Sequence, residues 1–248
     1  MKFSIITVSY NSEKTIKDTI VSVKEQSYKN FEHIFVDGGS TDKTLELINC
    51  YKNENSIVLS ENDDGIYDAF NKGISLASGD LISILNSDDV FYDANVLKDV
   101  LDDFLKNKCD IVYGDLVIVA QKDLKKIKRY WKSSRYIPHS FKKGWHPPHP
   151  TFFVKKSVYD EYGNFDTSFE VSADFELMLR FIEIKKSSVS YLPKTLVKMR
   201  VGGNSQNIAN IFIGGKNILN AFKINGIYVN PFVYFFKRYL KKIFQFVF

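Results

Sequence analysis

A strand-turn-helix pattern that repeats along the first third of the chain is the feature that most restricts the possible folds. Each unit opens with a short apolar run, turns at Gly, Asp, Asn or Ser, and continues with apolar residues at helical spacing. The four apolar runs are residues 2–9, 31–36, 56–59 and 81–85. Strands that alternate with helices predict βαβ units, and therefore an α/β fold with a Rossmann-like, mostly parallel central sheet and helices on both faces.

Acidic residues follow these apolar runs where a dinucleotide-binding enzyme would carry a GxGxxG fingerprint. They are Asp37, Asp63 and the adjacent pair Asp88 and Asp89. In an open α/β sheet the ligand crevice lies beyond the carboxyl ends of the strands, so we expect these carboxylates to face a ligand. Gly38 and Gly39 alone are too weak a signal for a dinucleotide site.

The pair Asp88 and Asp89 favours a hard cation. Mg²⁺ or Mn²⁺ binds through one or two carboxylates together with phosphates of the ligand, and two acids at a strand end meet that need. The alternative is that Ser87, Asp88 or Asp89 caps the helix that follows. The sequence therefore predicts a metal-assisted phosphate site, with helix capping as the competing interpretation.

Regular periodicity continues to about residue 131 and then weakens. A helix is predicted near 96–105, followed by a strand over 110–120 that returns as a hairpin through 126–131. Residues 138–150 hold four of the six prolines and three of the four histidines, which predicts a loop. The remaining predicted elements are a strand at 152–154, helices at 157–162 and 174–184, and strands at 189–192 and 195–199.

Composition limits the class of protein. The 248 residues are enough for one large domain with a small appendage, and two widely separated cysteines indicate neither a disulfide framework nor a zinc site. The N-terminal residues lack a signal-peptide pattern, and even the apolar C-terminus is interrupted by basic pairs. We therefore expect a protein of the reducing cytoplasm without a transmembrane helix.

The net charge of +5 is concentrated in residues 122–135, which carry seven Lys and Arg. This run allows a nucleic-acid groove, a surface for acidic lipid or phosphate, or a solvated hairpin. The solvated hairpin is favoured because basic runs are common on exposed surfaces, and no nucleic-acid partner is expected.

Several motifs in a fixed order resemble those of the family 2 inverting glycosyltransferases of the GT-A fold, of the bacterial surface-polysaccharide type. The similarity covers about residues 2–205. The motifs lie at residues 7–11, 36–42, 65–73, 85–89, 149–153, 163–166 and 173–180. The resemblance implies a glycosyltransferase domain of residues 1–205, with a nucleotide-binding half at 1–120 and an acceptor half at 121–205. A helical tail of residues 206–248 would follow it.

The resemblance also implies roles for individual residues. Asp88 would lie near the ribose and Asp89 would be the likelier ligand of Mn²⁺ or Mg²⁺, although Asn86 stands where many members have a third acid. Independently of the resemblance, His149 in the proline-rich loop is expected to contact the diphosphate or the metal, because neutral imidazole is a good donor or ligand, with a plain surface histidine as the alternative. The residues assigned to the nucleotide are Thr7, Ser9, Tyr10, Asp37, Asp63 and Asp88.

Asp174 matches the position of the family's catalytic base. Inverting transfer needs one carboxylate that takes the proton from the acceptor hydroxyl, and this group typically contributes about 10² to 10⁴ in rate. The alternative is that Asp174 caps its helix. Glu176 competes for the same role, but two residues turn it by about 200° around a helix, so Asp174 is preferred.

The tail is predicted to be a basic, aromatic amphipathic helix over residues 232–248. On a helical wheel Lys237, Arg238, Lys241, Lys242 and Gln245 share one arc, which suits an anionic membrane surface. A helix packed on the domain or in a dimer interface is the alternative. Arg200 and the Gly202–Gly203 loop are expected either to close over the donor or to form a plain turn.

The resulting expectation is an enzyme at the inner face of the cell membrane. It would move a hexosyl or N-acetylhexosaminyl group from a nucleotide diphosphate sugar, with a UDP-sugar favoured, to a lipid-linked saccharide of a surface polysaccharide. A sugar nucleotidyltransferase is the rival enzyme, but residues 10–12 lack the Gly-rich, basic phosphate loop it needs. An inactive carbohydrate-binding or membrane-binding scaffold is the rival without chemistry.

Overall fold

The structure is a computed structural model that describes residues 1–202 and 208–243. The strands are β1 (Phe3–Ser9), β2 (Phe31–Asp37), β3 (Ile57–Ser60), β4 (Leu81–Ile84), β5 (Val90–Phe91), β6 (Ile111–Ala120), β7 (Asp123–Trp131), β8 (Phe153–Lys155) and β9 (Val189–Arg200). The helices are α1 (Ile16–Lys24), α2 (Thr44–Tyr51), α3 (Ile66–Leu76), α4 (Val96–Asn107), α5 (Lys156–Tyr162), α6 (Ala173–Leu179), α7 (Ile208–Ile224) and α8 (Pro231–Ile243). A π-helical turn, Arg180–Ile184, continues α6, and 3-10 turns lie at Phe141–Lys143 and His149–Thr151.

One mixed sheet connects the whole domain. Its order is β3-β2-β1-β4-β8-β6-β9-β5, and β7 pairs with β6 as a hairpin. The first four strands are parallel, as the repeating pattern predicts, whereas β8 is antiparallel to both β4 and β6. Strand β6 therefore runs parallel to β4, so the carboxyl ends of β1, β2, β4, β6 and β9 all point to one edge of the sheet.

Both faces of the sheet are covered, which explains why β1 reads as a continuous apolar run. All seven of its residues are buried. Ile6 and Val8 contact the core that includes α3, while Phe3 and Ile5 contact the core that includes α4. Successive side chains of a strand point to opposite faces, so a strand covered on both sides buries each one.

The closing part of the sheet differs from the prediction in one respect. The expected strands at 189–192 and 195–199 form the single strand β9, with an irregularity where three residues, Leu192 to Lys194, face Gly114 of β6. Pro193 has no N–H to donate to a ladder, so the chain bulges there. Gly114 permits the bulge, since a Cβ atom on it would lie 2.8 Å from the Lys194 carbonyl oxygen.

The C-terminal helices pack on the domain. Asn217 of α7 donates to the Val171 carbonyl, and Phe222 of α7 contacts the buried Tyr234 of α8, with ring centroids 5.1 Å apart. Within the described ranges, no helix is both long enough and apolar enough to span a bilayer. The predicted loop at 203–205 and the last predicted tail residues, 244–248, lie outside the described residues.

Candidate active site

Asp37 joins the ends of three parallel strands. Its fully buried carboxylate accepts four hydrogen bonds, from the hydroxyls of Ser9, Ser40 and Ser60 at 3.1, 2.5 and 3.0 Å, and from the Ser40 backbone N–H at 2.9 Å. Four is about the full accepting capacity of a carboxylate. In this state Asp37 therefore holds the strand ends together, and the expected bond to a base would have to replace one of these donors.

The other residues assigned to the nucleotide lie at different depths. The Thr7 hydroxyl is buried and bonds to Nε2 of His33 at 2.9 Å, beneath the crevice, whereas Tyr10 is 65% exposed at its rim. Asp63 lies against Gly38, because a Cβ atom at Gly38 would be 2.4 Å from Asp63 Oδ2. Tyr10, Asp37 and Asp63 thus surround the ends of β1 and β2, and Thr7 supports them from below.

The loop after β4 carries the adjacent acidic residues Asp88 and Asp89, and the second of them is buried. Asp89 is 1% exposed, and within residues 1–202 and 208–243 neither of its carboxylate oxygens has a partner of ordinary hydrogen-bond geometry. Burial, and next the charge of Asp88, raise the pKa of Asp89 well above its usual value. Burial likewise raises the pKa of Asp88. The Arg200 backbone N–H, the Asn86 side chain and the Arg200 charge offset part of the effect on Asp89.

The side-chain oxygen atoms of this loop suit a divalent cation. The buried Asn86 Oδ1 also lacks a hydrogen-bond partner of ordinary geometry among the described residues, so three hard oxygen atoms have no well-placed donor there. Buried polar atoms in native structures are normally satisfied, and a cation is one way of satisfying a carboxylate. Asn86, Asp88 and Asp89 are therefore the residues that would hold Mn²⁺ or Mg²⁺ beside the phosphates of a ligand.

His149 does not belong to this acidic group. Its ring lies 5.8 Å from those of Phe70 and Phe165, burial lowers its pKa, and the charge of Asp174 opposes that shift. The described part of the chain contains no cluster of three or more His, Cys, Asp or Glu side chains able to hold a metal. The expected metal set of Asp88, Asp89 and His149 is therefore not assembled, because the loop before β8 directs the histidine toward α6.

Arg200 is a buried brace and does not project over the crevice. It is 4% exposed and donates to the Asp88 carbonyl at 2.6 Å, to the Gln121 carbonyl at 3.1 Å and to the Asp18 carboxylate. One guanidinium thus fixes the acidic loop to α1 and to the β6–β7 turn. The expectation that Arg200 closes over the donor is wrong for this structure, since its donors are used inside the protein.

Asp174 lies in the first turn of α6. The helix begins after Ser172, whose φ of 69° is left-handed, so Asp174 is not the residue that caps it. Glu176 is 3% exposed and forms an ion pair with Arg180 at 3.0 Å, with a further bond from Asn225. Asp174 therefore remains available as a base, whereas Glu176 is committed to the core.

Sequence reasoning did not identify the residues that support Asp174. The Tyr67 hydroxyl lies 3.4 Å from Asp174 Oδ1, and the Tyr67 ring stacks on Phe165 at 5.7 Å. Asn71 exchanges two hydrogen bonds with the Phe165 backbone, at 2.9 and 3.0 Å. The signal was an Asn inside a helix, where it is a poor helix former, placed four residues after a Tyr on the same face of α3.

Comparisons with known proteins identify the family of the chain. Glycosyl transferase family 2 matches residues 4–163. A PGL/p-HBAD biosynthesis glycosyltransferase of Mycobacterium bovis is 29% identical over 183 residues, which are 72% of this chain and 68% of that protein. An uncharacterized glycosyltransferase of Mycobacterium tuberculosis is 32% identical over 179 residues, which are 71% of this chain and 67% of that one.

Solved structures share the fold at lower identity. S. aureus TarS 1–349 in complex with UDP-GlcNAc matches with a TM-score of 0.70 and 20% identity, over 91% of this chain and 65% of that one. The mannosyltransferase PcManGT from Pyrobaculum calidifontis, in complex with GDP-Man and Mn²⁺, matches with a TM-score of 0.68 and 16% identity, over 96% and 69%. The chain thus spans just under two thirds of that TarS chain.

The mixed sheet and the family match together identify the chain as a glycosyltransferase of the GT-A fold. More particularly, the chain belongs to glycosyl transferase family 2.

Proposed function

We propose that this enzyme transfers one hexosyl or N-acetylhexosaminyl group, with inversion, from a nucleotide diphosphate sugar to a lipid-linked saccharide of a surface polysaccharide. The observation that carries this proposal is the buried Asp89 carboxylate, which has no hydrogen-bond donor of ordinary geometry among the described residues. A buried carboxylate is costly unless a proton or a cation neutralises it, and two neighbouring oxygen-bearing side chains, Asn86 and Asp88, favour the cation. A UDP-sugar is the favoured donor, since a TarS structure of the same fold contains UDP-GlcNAc.

The donor half supplies binding and charge. Tyr10, Asp37 and Asp63 would surround the nucleoside, and Asn86, Asp88 and Asp89 would hold a divalent cation. When bound, Mn²⁺ or Mg²⁺ would neutralise the charge that develops on the leaving nucleoside diphosphate. A PcManGT structure of the same fold contains Mn²⁺.

The acceptor half supplies the base. The acceptor O–H bond breaks as its proton passes to the Asp174 carboxylate, while the oxygen attacks the anomeric carbon from the face opposite the diphosphate. The bond from that carbon to the phosphate oxygen breaks, and its electron pair leaves with the nucleoside diphosphate. A single displacement inverts the anomeric centre and needs no nucleophilic side chain.

The outer face of α8 supports a membrane location. Five large apolar side chains there are between 40% and 87% exposed: Phe232, Val233, Phe236, Tyr239 and Leu240. Lys237 is also exposed beside them. An exposed aromatic face with nearby basic residues suits the headgroup region of an anionic bilayer. We propose that residues 206–248 hold the catalytic unit of residues 1–205 at the inner membrane surface, close to a lipid-linked acceptor.

The inner face of α8 modifies the prediction made from the helical wheel. Arg238 does not join a basic arc toward the membrane, since its guanidinium lies over the Phe175 ring and donates to Tyr234 Oη at 3.2 Å. The two interpretations of the tail are thus compatible: one face packs on the domain, and the other is free for lipid among the described residues.

The donor is tested first by a thermal-shift screen of nucleotides and sugar nucleotides, with and without Mn²⁺. Release of nucleoside diphosphate from the selected donor is then measured for the wild type, Asp89→Asn and Asp174→Asn. We expect at least a 100-fold loss for each variant, and full activity in both would refute the mechanism. A sugar nucleotidyltransferase would instead exchange labelled pyrophosphate into the sugar nucleotide, and an inactive scaffold would release nothing.

A further inference from the structure

The proposed base is held by a tyrosine from the donor half of the domain. Tyr67 lies in the first turn of α3, 107 residues before Asp174, and its hydroxyl is 3.4 Å from Asp174 Oδ1. The backbone N–H groups of residues 172–174, at the start of α6, lie near the same hydroxyl. The tyrosine thus meets both the carboxylate and the positive end of the helix that carries it.

The position of the hydroxyl is fixed by its neighbours. The Tyr67 ring stacks on Phe165 at 5.7 Å with 20° between the planes, and it meets Phe70 edge-on at 5.9 Å. The pair of hydrogen bonds between Asn71 and the Phe165 backbone clamps Phe165 to α3. The tyrosine therefore has little freedom to turn away from the base.

We propose that Tyr67 is a positioning residue for Asp174: it donates a hydrogen bond to Oδ1 and leaves Oδ2 to receive the proton of the acceptor hydroxyl. This inference rests on the proposed function, in which Asp174 is the base. Tyr67 keeps its own proton, because burial and the charge of Asp174 raise its pKa. It acts as a donor throughout and takes no part in bond breaking.

The other titratable and charged side chains described near Asp174 are neutral or have other partners, so Tyr67 is the residue that we assign to positioning the base. His149 faces it from the loop before β8, and burial lowers the pKa of the imidazole, which keeps it neutral. On α6 itself, Glu176 and Arg180 are paired with each other. From α8, Arg238 covers Phe175, the residue after the base. The hydrogen bond from the neutral Tyr67 hydroxyl to Oδ1 therefore fixes the orientation of the Asp174 carboxylate.

The test is Tyr67→Phe, which removes the hydroxyl and keeps the ring. Release of nucleoside diphosphate is followed against the concentration of the screened donor for the wild type, Tyr67→Phe, Asp174→Asn and Tyr130→Phe, the last being an exposed tyrosine of β7 as control. A base that is not held in place takes the proton less often from the same bound substrate. We expect kcat to fall about tenfold in Tyr67→Phe, with KM and the melting temperature unchanged, and no such loss in Tyr130→Phe.

A second readout does not depend on turnover. The ¹³C carboxyl resonance of Asp174, assigned by its absence in Asp174→Asn, is compared between the wild type and Tyr67→Phe at one fixed pH, and should move because the hydrogen bond to Oδ1 is lost. If Asp174→Asn loses activity but Tyr67→Phe keeps the wild-type kcat and carboxyl resonance, the inference is overturned and the proposed function stands. If Asp174→Asn remains fully active, the assignment of the base fails, and with it the role of Tyr67.

Discussion

Arg238 of the C-terminal helix lies over the ring of Phe175, 5.8 Å from its centroid, and Phe175 directly follows the proposed base. The backbone of Arg238 also lies against Gly144, where a Cβ atom would approach it to 2.7 Å. The helix that we assign to the membrane is therefore in direct contact with the acceptor half of the domain. Deletion of the whole tail would consequently disturb two roles at once, and its faces need to be tested separately.

For the outer face, the double substitution Phe232→Ser and Phe236→Ser should weaken binding to phosphatidylglycerol vesicles by at least tenfold, because both rings are more than 60% exposed and would enter the bilayer. Cosedimentation measures this. The control is Leu105→Ser with Ile137→Ser, two apolar residues elsewhere that are 58% and 65% exposed. Equal vesicle binding by the two doubles would argue against a membrane role for α8, and donor hydrolysis should be unchanged in both.

For the inner face, Tyr234→Ala should destabilise the protein by about 3–5 kcal/mol, since Tyr234 is 1% exposed and its loss leaves a cavity beside Phe222. Tyr239→Ala, on the same helix but 67% exposed, should change stability by less than about 0.5 kcal/mol. Urea unfolding measures both. Similar losses of stability in Tyr234→Ala and Tyr239→Ala would mean that α8 is not docked on the domain as described.

Metal binding should depend on Asp89. Mn²⁺ should raise the melting temperature of the wild type and have little effect on Asp89→Asn, because the buried carboxylate is the principal ligand that we propose. Differential scanning fluorimetry over a Mn²⁺ series measures this, with the exposed Asp123→Asn as control. A wild-type response in Asp89→Asn would remove Asp89 from the metal site.

Glu32 should contribute to the loss of stability in acid. Burial opposes its ionisation, but hydrogen bonds from Lys2, Ser4 and Ser78 outweigh this and lower its pKa from 4.5 to about 2. A carboxyl group whose pKa is lower in the folded than in the unfolded protein stabilises the fold above pH 4.5, and that contribution disappears as the pH falls toward 2.

Glu32→Gln should therefore be less stable than the wild type by about 2–3 kcal/mol at pH 7 and should approach it near pH 2. Urea midpoints across that range measure the difference, with Glu25→Gln, an exposed glutamate at the end of α1, as control. A difference that stays constant with pH would show that the effect comes from packing and not from ionisation.

The parts of the fold with a strong local pattern were predictable from sequence. The four parallel strands and their helices follow from periodicity, and the acids at the strand ends follow from topology. The short strand β5, the antiparallel direction of β8 and the continuity of β9 were not predicted, because they depend on partners distant in sequence. Pairing of Val90 with Lys198, for example, leaves no local signal.

The candidate site was likewise predictable only where a local sequence pattern marks it. Asp89 and Asp174 could be named from motif position, but the surroundings of each could not. The contact between Tyr67 and Asp174 joins residues 107 positions apart, and only the folded chain brings them together. The displacement of His149 from the acidic pair likewise depends on the aromatic rings of Phe70 and Phe165.

The saturated carboxylate of Asp37 has a consequence for the choice of nucleobase. A base that binds there must substitute for a serine hydroxyl, so it exchanges one hydrogen bond for another and gains little net affinity. A base edge that presents an N–H restores the lost donor, whereas an edge that presents a lone pair sets two acceptors against each other. Asp37 would thus discriminate among nucleotides by rejecting the wrong edge more than by attracting the right one.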